Sequence, residues 1–216
     1  MVNKSALFQI LFVLGFFSNL SQSSTLSHVK NCDSLIQQVD SEKAEFLGEG
    51  SSGRAYKVVL EDGTEVVIKY YKDPKKLKRD YELLNLARKN QGPESLQVPA
   101  TEILSPKHLL IEYISGEPLV SMLKSLRVDE QSQQELLTTY DRKVSKLHRR
   151  LQDQDPLVGE LYNVQGRMRT MIYFTQGGYD GVSKVHFIRT RLGEYTLKSD
   201  NIIVDKQGQL WLIDPI

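Results

Sequence analysis

Two polar side chains near the carboxyl end of the chain have the types and spacing that metal chemistry needs. Asn201 comes directly before the run I-I-V-D, and Asp214 follows W-L-I thirteen residues later. The apolar runs 202–204 and 210–213 predict two short strands around a turn at 206–208. An amide and a carboxylate oxygen at adjacent strand ends suit Mg²⁺, which takes a few such oxygens together with water and phosphate. The alternative is a plain hairpin in which both side chains cap turns.

A glycine-rich turn early in the chain could accommodate phosphate. Gly48, Gly50 and Gly53 form the pattern G-x-G-x-x-G, which by itself often marks an ordinary turn. A dinucleotide-binding fingerprint would open a helix after its third glycine, whereas residues 55–59 continue as a strand. Asp62 and Gly63 then predict a hairpin turn, and the returning strand V-V-I-K ends in Lys69. The alternative for Lys69 is a solvent-facing lysine on a sheet.

Residues 47–71 resemble the nucleotide-binding hairpin of the protein-kinase superfamily, and Lys69 lies nineteen residues after Gly50 as it does there. The spacing of Asn201 and Asp214 is similar to that of the family's metal-binding asparagine and aspartate. The resemblance covers about 45–151 and 194–214. It implies an α+β, two-lobed fold: a five-stranded antiparallel sheet with one helix, followed by a reduced, mainly helical lobe.

The resemblance also implies roles for individual residues. Gly48, Gly50, Gly53 and Lys69 would hold the phosphates of ATP, Asn201 and Asp214 would hold Mg²⁺ or Mn²⁺, and Lys198 would neutralise the transferred phosphoryl group. The carboxylate that orients Lys69 should lie on the following helix, where Glu82 is the first candidate and Asp80 the second. In 109–119, Glu112 and Ile114 would offer backbone groups to adenine, Ile111 would be the gatekeeper, and Gly116 would begin a linker that lets the lobes rock.

The catalytic loop departs from the family pattern. Five residues before Asn201, where the family has its catalytic base, stands Thr196, within E-Y-T instead of H-R-D. Asp200 or Glu194 could be recruited instead. A general base contributes about 10² to 10⁴ in rate, so a site without one could still transfer phosphate slowly. The first reading is therefore an enzyme that transfers phosphate to a hydroxyl acceptor, expected on a protein. The second is a pseudokinase that only binds nucleotide. A third reading is a secreted binding module that has kept the scaffold.

The end of the sequence departs as well. It stops two residues after Asp214, and Pro215 replaces the phenylalanine of D-F-G. I-D-P is more familiar from small-molecule kinases of the superfamily, and the truncation resembles minimal kinases that bacterial pathogens deliver into host cells. The L-H-R-R at 147–150 is not followed by an asparagine and an aspartate at the needed distances, so it more simply ends a helix.

The remaining segments set the expected organisation. Residues 1–23 predict a signal peptide, with Lys4 before a twelve-residue apolar core that is too short for a stable membrane span of roughly 20 residues. A retained anchor and a buried helix stay open. Residues 24–44 would be a leader, 45–115 the first lobe and 116–216 the second, with an insertion at 152–193 that includes a helix around 164–174. The protein would be secreted or exported, into a lumen or another cell.

Composition excludes some partners. The formal charge is +1, from 28 basic and 27 acidic residues, which does not favour nucleic acid as the main partner. The single cysteine, Cys32, excludes an intramolecular disulfide.

Overall fold

The computed structural model describes residues 26, 32–40, 44–126, 129–154, 161–162, 169–175, 178–190 and 193–214. The predicted signal peptide, 1–23, lies outside these residues, as does most of the predicted leader. The described part forms a mixed α+β fold, as the sequence predicts, with four helices and a five-stranded antiparallel sheet. None of its helices is long and apolar enough to cross a membrane.

The five-stranded sheet contains the glycine-rich turn and Lys69. Its strands follow the order β1-β2-β3-β5-β4 and are β1 (Glu45–Glu49), β2 (Gly53–Val59), β3 (Glu65–Tyr71), β4 (Thr101–Ser105) and β5 (His108–Glu112). The predicted turn joins β2 to β3: Gly63 has a φ of 83°, and Asp62 Oδ1 accepts a hydrogen bond of 2.9 Å from the Thr64 amide. The sequence predicts a strand over 98–104, but β4 begins three residues later, because Pro99 has no amide hydrogen to donate to a sheet.

Strand β3 separates two apolar layers. Val66 and Ile68 face one side, where they pack with Val58, Ala100 and Leu110. Val67, Lys69 and Tyr71 alternate with them and therefore face the other side. The second side carries the larger core, so the same alternation that buries Tyr71 also directs Lys69 toward the interior of the protein.

Helices cover both faces of this sheet. Helix α1 (Cys32–Asp40) lies within the predicted leader and packs Leu35 and Val39 into the layer that contains Ile68. Helix α2 (Pro74–Lys89), α3 (Leu119–Ser125) and α4 (Glu130–Gln154) supply the larger core. Helix α2 begins at its own capping signal, since Asp73 accepts a hydrogen bond from the Lys75 amide and proline occupies the first turn.

The predicted linker is a strand. β6 (Gly116–Pro118) pairs with β11 (Ile202–Asp205), which pairs in turn with β12 (Leu210–Leu212). A side chain at Gly116 would overlap the backbone carbonyl of Val204, so the glycine allows close approach between two strands. Gly116 is thus held in a sheet with β11, and the expectation that it lets the lobes rock stays a prediction.

The predicted insertion is a β structure in its described part. Strands β7 (Leu161–Tyr162), β8 (Arg169–Thr175) and β10 (Gly193–Lys198) all pair with the long β9 (Gly178–Thr190). The helix predicted around 164–174 is wrong over 169–174, where β8 runs antiparallel to β9. The segment T-M-I-Y-F-T is rich in β-branched and aromatic residues, whose preference for strands exceeds the weak helical spacing.

Candidate functional site

The β11–β12 hairpin brings Asn201 and Asp214 together. Ile202 pairs with Leu212, and beyond this last pair the Ile213 amide donates a 3.0 Å hydrogen bond to the Asn201 carbonyl. At the other end, Asp205 Oδ2 accepts a 2.8 Å hydrogen bond from Trp211 Nε1. The hairpin thus holds an amide and a carboxylate side chain on neighbouring backbone segments, as its sequence predicts.

Lys69 forms an ion pair with Asp214, which lies far from it in the sequence. Its Nζ lies 2.6 Å from Asp214 Oδ2 and 4.8 Å from the centre of the Tyr71 ring. The lysine side chain is 10% exposed and the aspartate 28% exposed, so the pair is only partly screened by water. Two residues 145 positions apart in sequence therefore share one site.

A cavity of about 540 Å³ opens around this ion pair. Ten of the eleven residues predicted from the sequence line it, namely Gly48, Gly50, Gly53, Lys69, Glu112, Ile114, Lys198, Asp200, Asn201 and Asp214. The predicted gatekeeper, Ile111, lines it as well. The structure thus brings the glycine-rich turn, the lysine, the 111–114 segment and the hairpin ends to one concave surface.

Apart from Ile111 and Ile114, the apolar residues of the cavity were not predicted. They are Leu47, Ala55 and Val67 from the sheet and Ile203 and Ile213 from the β11–β12 hairpin. A sequence signal exists for part of the set: Val67 precedes Lys69 by two residues on the same strand face, and Ala55 is the register partner of Lys69. The two isoleucines carry no such signal, because only the fold brings the hairpin opposite the sheet.

The glycine-rich turn is held by its own backbone and by one ion cluster. The Gly50 amide donates a 2.8 Å hydrogen bond to the Gly53 carbonyl. Glu49 lies between Lys72 Nζ at 2.9 Å and Arg54 Nε at 3.2 Å, and these hydrogen bonds lower the pKa of its carboxyl group. The Glu49 carboxylate on the cavity wall thus stays ionised, and two cations balance its negative charge.

The structure does not bring Glu82 to Lys69. The Glu82 side chain is 40% exposed, lies 4.0 Å from Lys78 and does not line the cavity. Asp80, the second candidate, is fully buried on the inner face of α2 with Leu77 and Leu84. Because residues advance about 100° each around a helix, Glu82 lies about 200° further round than Asp80. The apolar spacing of α2 could have identified Asp80, since it shares the stripe of the buried leucines.

Asp80 is a buried carboxyl group close to the ion pair. Within the described part of the chain, neither of its oxygens makes a hydrogen bond of good geometry, and Arg79 Nε lies 3.7 Å from Oδ1. Burial, and then the charge of Asp214, raise the pKa of Asp80 to about 6, although the charge of Lys69 acts in the opposite direction. Asp80 is therefore a second carboxyl group near the ion pair, and its surroundings disfavour the ionised form.

This burial predicts a pH-dependent stability. The pKa of Asp80 is about 6 in the folded protein against 3.8 for an ordinary aspartate. Between these values the folded state binds more protons than the unfolded state, so stability falls as the pH rises through this window and stays lower above it. The difference corresponds to about 3 kcal/mol. We expect Asp80→Asn to raise the free energy of unfolding at about pH 7.5 by up to that amount and to have little effect at about pH 4.

Urea unfolding of the ligand-free protein at both pH values measures this effect. Glu82→Gln is the matched control, because it removes a carboxylate from the same helix at a partly exposed position. Equal stability of wild type and Asp80→Asn at the higher pH would contradict the prediction.

The backbone of 111–114 forms the remaining wall. The Glu112 amide donates a 2.9 Å hydrogen bond to the Ala100 carbonyl, and the Glu112 carboxylate accepts one of the same length from the Ala100 amide. Arg88 Nη1 lies 3.6 Å from that carboxylate. The Glu112 side chain thus holds this segment in place. Only the backbone of Glu112 is left to contribute polar groups to the cavity, and the prediction assigns that role to the backbone.

Helix α4 holds the segment before Asn201 in place through one hydrogen bond. Tyr140 is fully buried, and its hydroxyl donates a 2.8 Å hydrogen bond to the Leu197 carbonyl. This bond fixes the start of a 3₁₀ turn, Ser199–Asn201, and with it the cavity residues Lys198 and Asp200. Thr196, at the position of the family's catalytic base, lies in β10 opposite Phe187.

Removing the Tyr140 hydroxyl tests this anchor. We expect Tyr140→Phe to lower the free energy of unfolding by about 1 to 3 kcal/mol, because the Leu197 carbonyl would stay buried without its donor. Urea unfolding measures the loss. Tyr113→Phe is the control, since its ring lines the cavity but its hydroxyl has no such role in the described structure. A loss no larger than that of the control would contradict the anchoring role.

Comparison with known proteins gives distant likenesses. No protein-family model matches the chain, and no curated protein matches it. Among solved structures, it is similar to the pseudokinase domain of BIR2, an immune regulator of the RLK/Pelle family, with 16% identity and a TM-score of 0.38 over 79% of this chain. The chain spans 44% of the length of that structure.

A second similar structure is the macrolide 2'-phosphotransferase MphH from Brachybacterium faecium. Its identity is 14% and its TM-score 0.36, over 86% of this chain and 74% of the other. Both similar structures are thus kinase-like proteins, one a pseudokinase and the other a phosphotransferase.

Proposed function

We propose that this protein binds ATP with Mg²⁺ or Mn²⁺ in the cavity between the five-stranded sheet and the β11–β12 hairpin, and transfers the γ-phosphate to a hydroxyl group. The observation that carries the proposal is the contact between Lys69 and Asp214, with Asn201 beside them on the same cavity. A cation next to two oxygen donors, below a glycine-rich turn, is the arrangement that a triphosphate and its metal need.

The shape and lining of the cavity fit a nucleotide. Its volume of about 540 Å³ lies within the range of ligand pockets, about 300 to 1,000 Å³. Ala55 and Val67 on one side and Ile203 on the other provide apolar walls for a flat base. The backbone of Glu112 and Ile114 would supply polar contacts at the edge of that base, and the backbone of Gly50 and Gly53 would lie against the phosphates.

Each polar side chain then has a role. ATP, when bound, supplies the phosphoryl group and carries the metal that neutralises it. Asp214 and Asn201 would hold the metal, which requires Asp214 to release Lys69. Lys69 would turn to the phosphates, and Asp80, buried nearby, would take the place of Asp214 as the carboxylate that orients the lysine. Lys198 would stabilise charge on the transferred group.

The proton acceptor decides between two functions. Asp200 is exposed and lines the cavity, so it is our candidate to take the proton of the acceptor hydroxyl. The specific observation that favours a pseudokinase is Thr196, which stands where a base is expected and is paired within a β-sheet. In that case nucleotide would serve as a structural or regulatory ligand. A protein acceptor and export to a lumen or another cell are further proposals.

The test combines binding with transfer. The purified protein is mixed with γ-labelled ATP and Mg²⁺ or Mn²⁺, with casein as a hydroxyl-rich acceptor, and its thermal unfolding is recorded under the same conditions. Label on either protein that is lost in Asp200→Asn supports the enzyme. Metal-dependent stabilisation by ATP without label supports the pseudokinase, because a ligand of the folded state stabilises it. If neither occurs, both functions are wrong and a binding module without nucleotide remains.

A further inference from the structure

The second half of helix α4 presents one strongly basic face. Its five cations are Arg142, Lys143, Lys146, Arg149 and Arg150, and we call them the basic face. At about 100° per residue they fall within about 120° of the helix circumference. The opposite side carries the buried residues Tyr140, Val144, Leu147 and Leu151. The amphipathic pattern explains why this face is polar, but not why it carries five cations within residues 142–150.

The basic face forms one wall of a concave site. A cavity of about 290 Å³ lies between Lys146, Arg149 and Arg150 on the helix and the turn at 93–95. Arg150 is fixed there, because its Nε donates a 2.9 Å hydrogen bond to the Asn90 carbonyl. The charged groups are therefore held around a hollow instead of being spread over a flat surface.

Glu94 shows what this hollow accepts. Its carboxylate pairs with Lys146, and this contact, together with the charges of Arg142 and Lys143, lowers the pKa of the Glu94 carboxyl group. The Glu94 side chain is 75% exposed, so solvent reaches the pair and an incoming carboxylate could replace it. An internal carboxylate thus already occupies the position that an external one would take.

The balance of charge on this side remains positive. Asp153 follows on the same side of α4, and Asp205 acts on Lys143, which also donates a 3.2 Å hydrogen bond to Gln209. Glu135, two turns before Arg142, lies on the same side and lines a cavity with Arg142. With Glu94, these make four carboxylates against five cations. Arg142 and Arg149 are exposed and take part in no ion pair among the described residues. Arg149 lines the hollow, and Arg142 lies close enough for its charge to act on Glu94, so both guanidinium groups remain available to a ligand.

We propose that the basic face is a docking site for an acidic segment of a partner polypeptide. Arg142, Lys146 and Arg149 follow one another at intervals of one helical turn, so the Cβ atoms of successive members are about 5 to 6 Å apart. This spacing matches carboxylates on successive turns of a partner helix, or on alternate residues of an extended strand at about 6.7 Å. The site is independent of the ATP cavity and does not rest on the function proposed above.

Two other classes of partner fit less well. A membrane surface would require apolar side chains beside the cations, but the large exposed apolar residues of the described chain, Phe46, Leu47, Val59 and Ile103, belong to the five-stranded sheet. Nucleic acid would require a wide positive surface, whereas the chain as a whole carries a formal charge of only +1. A short acidic segment needs only the local excess of charge.

The test uses a fluorescently labelled peptide rich in glutamate, whose binding to the full chain is followed by fluorescence anisotropy. We expect the triple variant Arg142→Gln/Lys146→Gln/Arg149→Gln to weaken binding about tenfold or more, and wild-type binding to fall steeply with salt. The control variant, Lys75→Gln/Lys107→Gln/Lys124→Gln, removes the same charge from exposed lysines elsewhere and should change binding less than about twofold. Circular dichroism of each variant establishes that it is folded.

Two results would overturn the proposal. In the first, the wild-type protein does not bind the peptide at low salt. In the second, the two triple variants weaken peptide binding equally. Tighter binding to vesicles containing phosphatidylserine, or to a single-stranded oligonucleotide, with loss in the same Arg142, Lys146 and Arg149 variant, would assign the surface to a different class of partner. Because none of these readouts involves ATP, their failure is distinguishable from failure of the proposed phosphotransfer.

Discussion

Replacing Asp214 with alanine is expected to abolish the proposed binding of ATP with Mg²⁺, measured as thermal stabilisation, together with the proposed phosphoryl transfer. Loss of a direct metal ligand should weaken binding of the metal and nucleotide by at least about 100-fold. At a ligand concentration of about 100 times the wild-type Kd, the stabilisation of about 2.7 kcal/mol would then fall below about 0.5 kcal/mol. Thermal unfolding with and without ATP and Mg²⁺ measures the difference.

A lysine variant sharpens the same test. Lys69→Met keeps the length of the side chain and removes its charge, and it should also eliminate the stabilisation by ATP. Because Lys69 and Asp214 are in direct contact and would act on one ligand, the double variant should lose little more than either single variant.

Glu82→Gln is the control for both variants. It removes a charge that the sequence placed in the site and the structure places outside it. Stabilisation that survives in Asp214→Ala, or is lost in Glu82→Gln as completely as in Lys69→Met, would contradict the proposed geometry of the nucleotide site.

Replacing Gly53 with alanine is expected to produce the largest loss of stability. Strand β2 begins at Gly53, which pairs with Tyr71, and a Cβ there would overlap the carbonyl oxygen of Tyr70. The neighbour is the backbone of the adjacent strand β3, so relief requires the two strands to move apart at this end of the pairing. We expect a decrease of about 3 kcal/mol or more in the free energy of unfolding, measured by urea titration.

Gly50→Ala is the matched control for this substitution. Gly50 belongs to the same glycine-rich turn, but a Cβ at this position would meet no atom within 4 Å. Its stability should therefore change by less than about 1 kcal/mol. If the two alanine variants unfold at the same urea concentration, the close approach of β2 and β3 at Gly53 is wrong.

Much of the fold could be read from local pattern. The turn at Asp62 and Gly63, the alternation along β3 and the β11–β12 hairpin are each encoded within a few residues, and all three occur in the structure. The errors arose where a local pattern was weak. Residues 169–174 combine a faint helical spacing with strong strand preference, and the pairing of this segment with β9 decides in favour of the strand.

Helix α2 shows where the reading of the site failed. Asp80 and Glu82 both lie near the position expected for the carboxylate that orients Lys69. The similarity of the sequence around Glu82 to the kinase helix favoured Glu82. The buried stripe of Leu77 and Leu84 includes Asp80 and excludes Glu82. Helical geometry, more than motif similarity, thus determines which carboxylate faces Lys69.

The sequence by itself determined the types of group at the site: a glycine-rich turn, one lysine on a strand, and an amide and a carboxylate at the ends of a hairpin. Their chemistry follows from residue identity, and their local placement follows from strand and turn preferences. Only the tertiary structure decided that Lys69 lies 2.6 Å from Asp214 and that Ile203 and Ile213 close the cavity opposite the sheet. Contacts between residues 145 positions apart depend on how the buried layers of the whole chain pack, which no local pattern encodes.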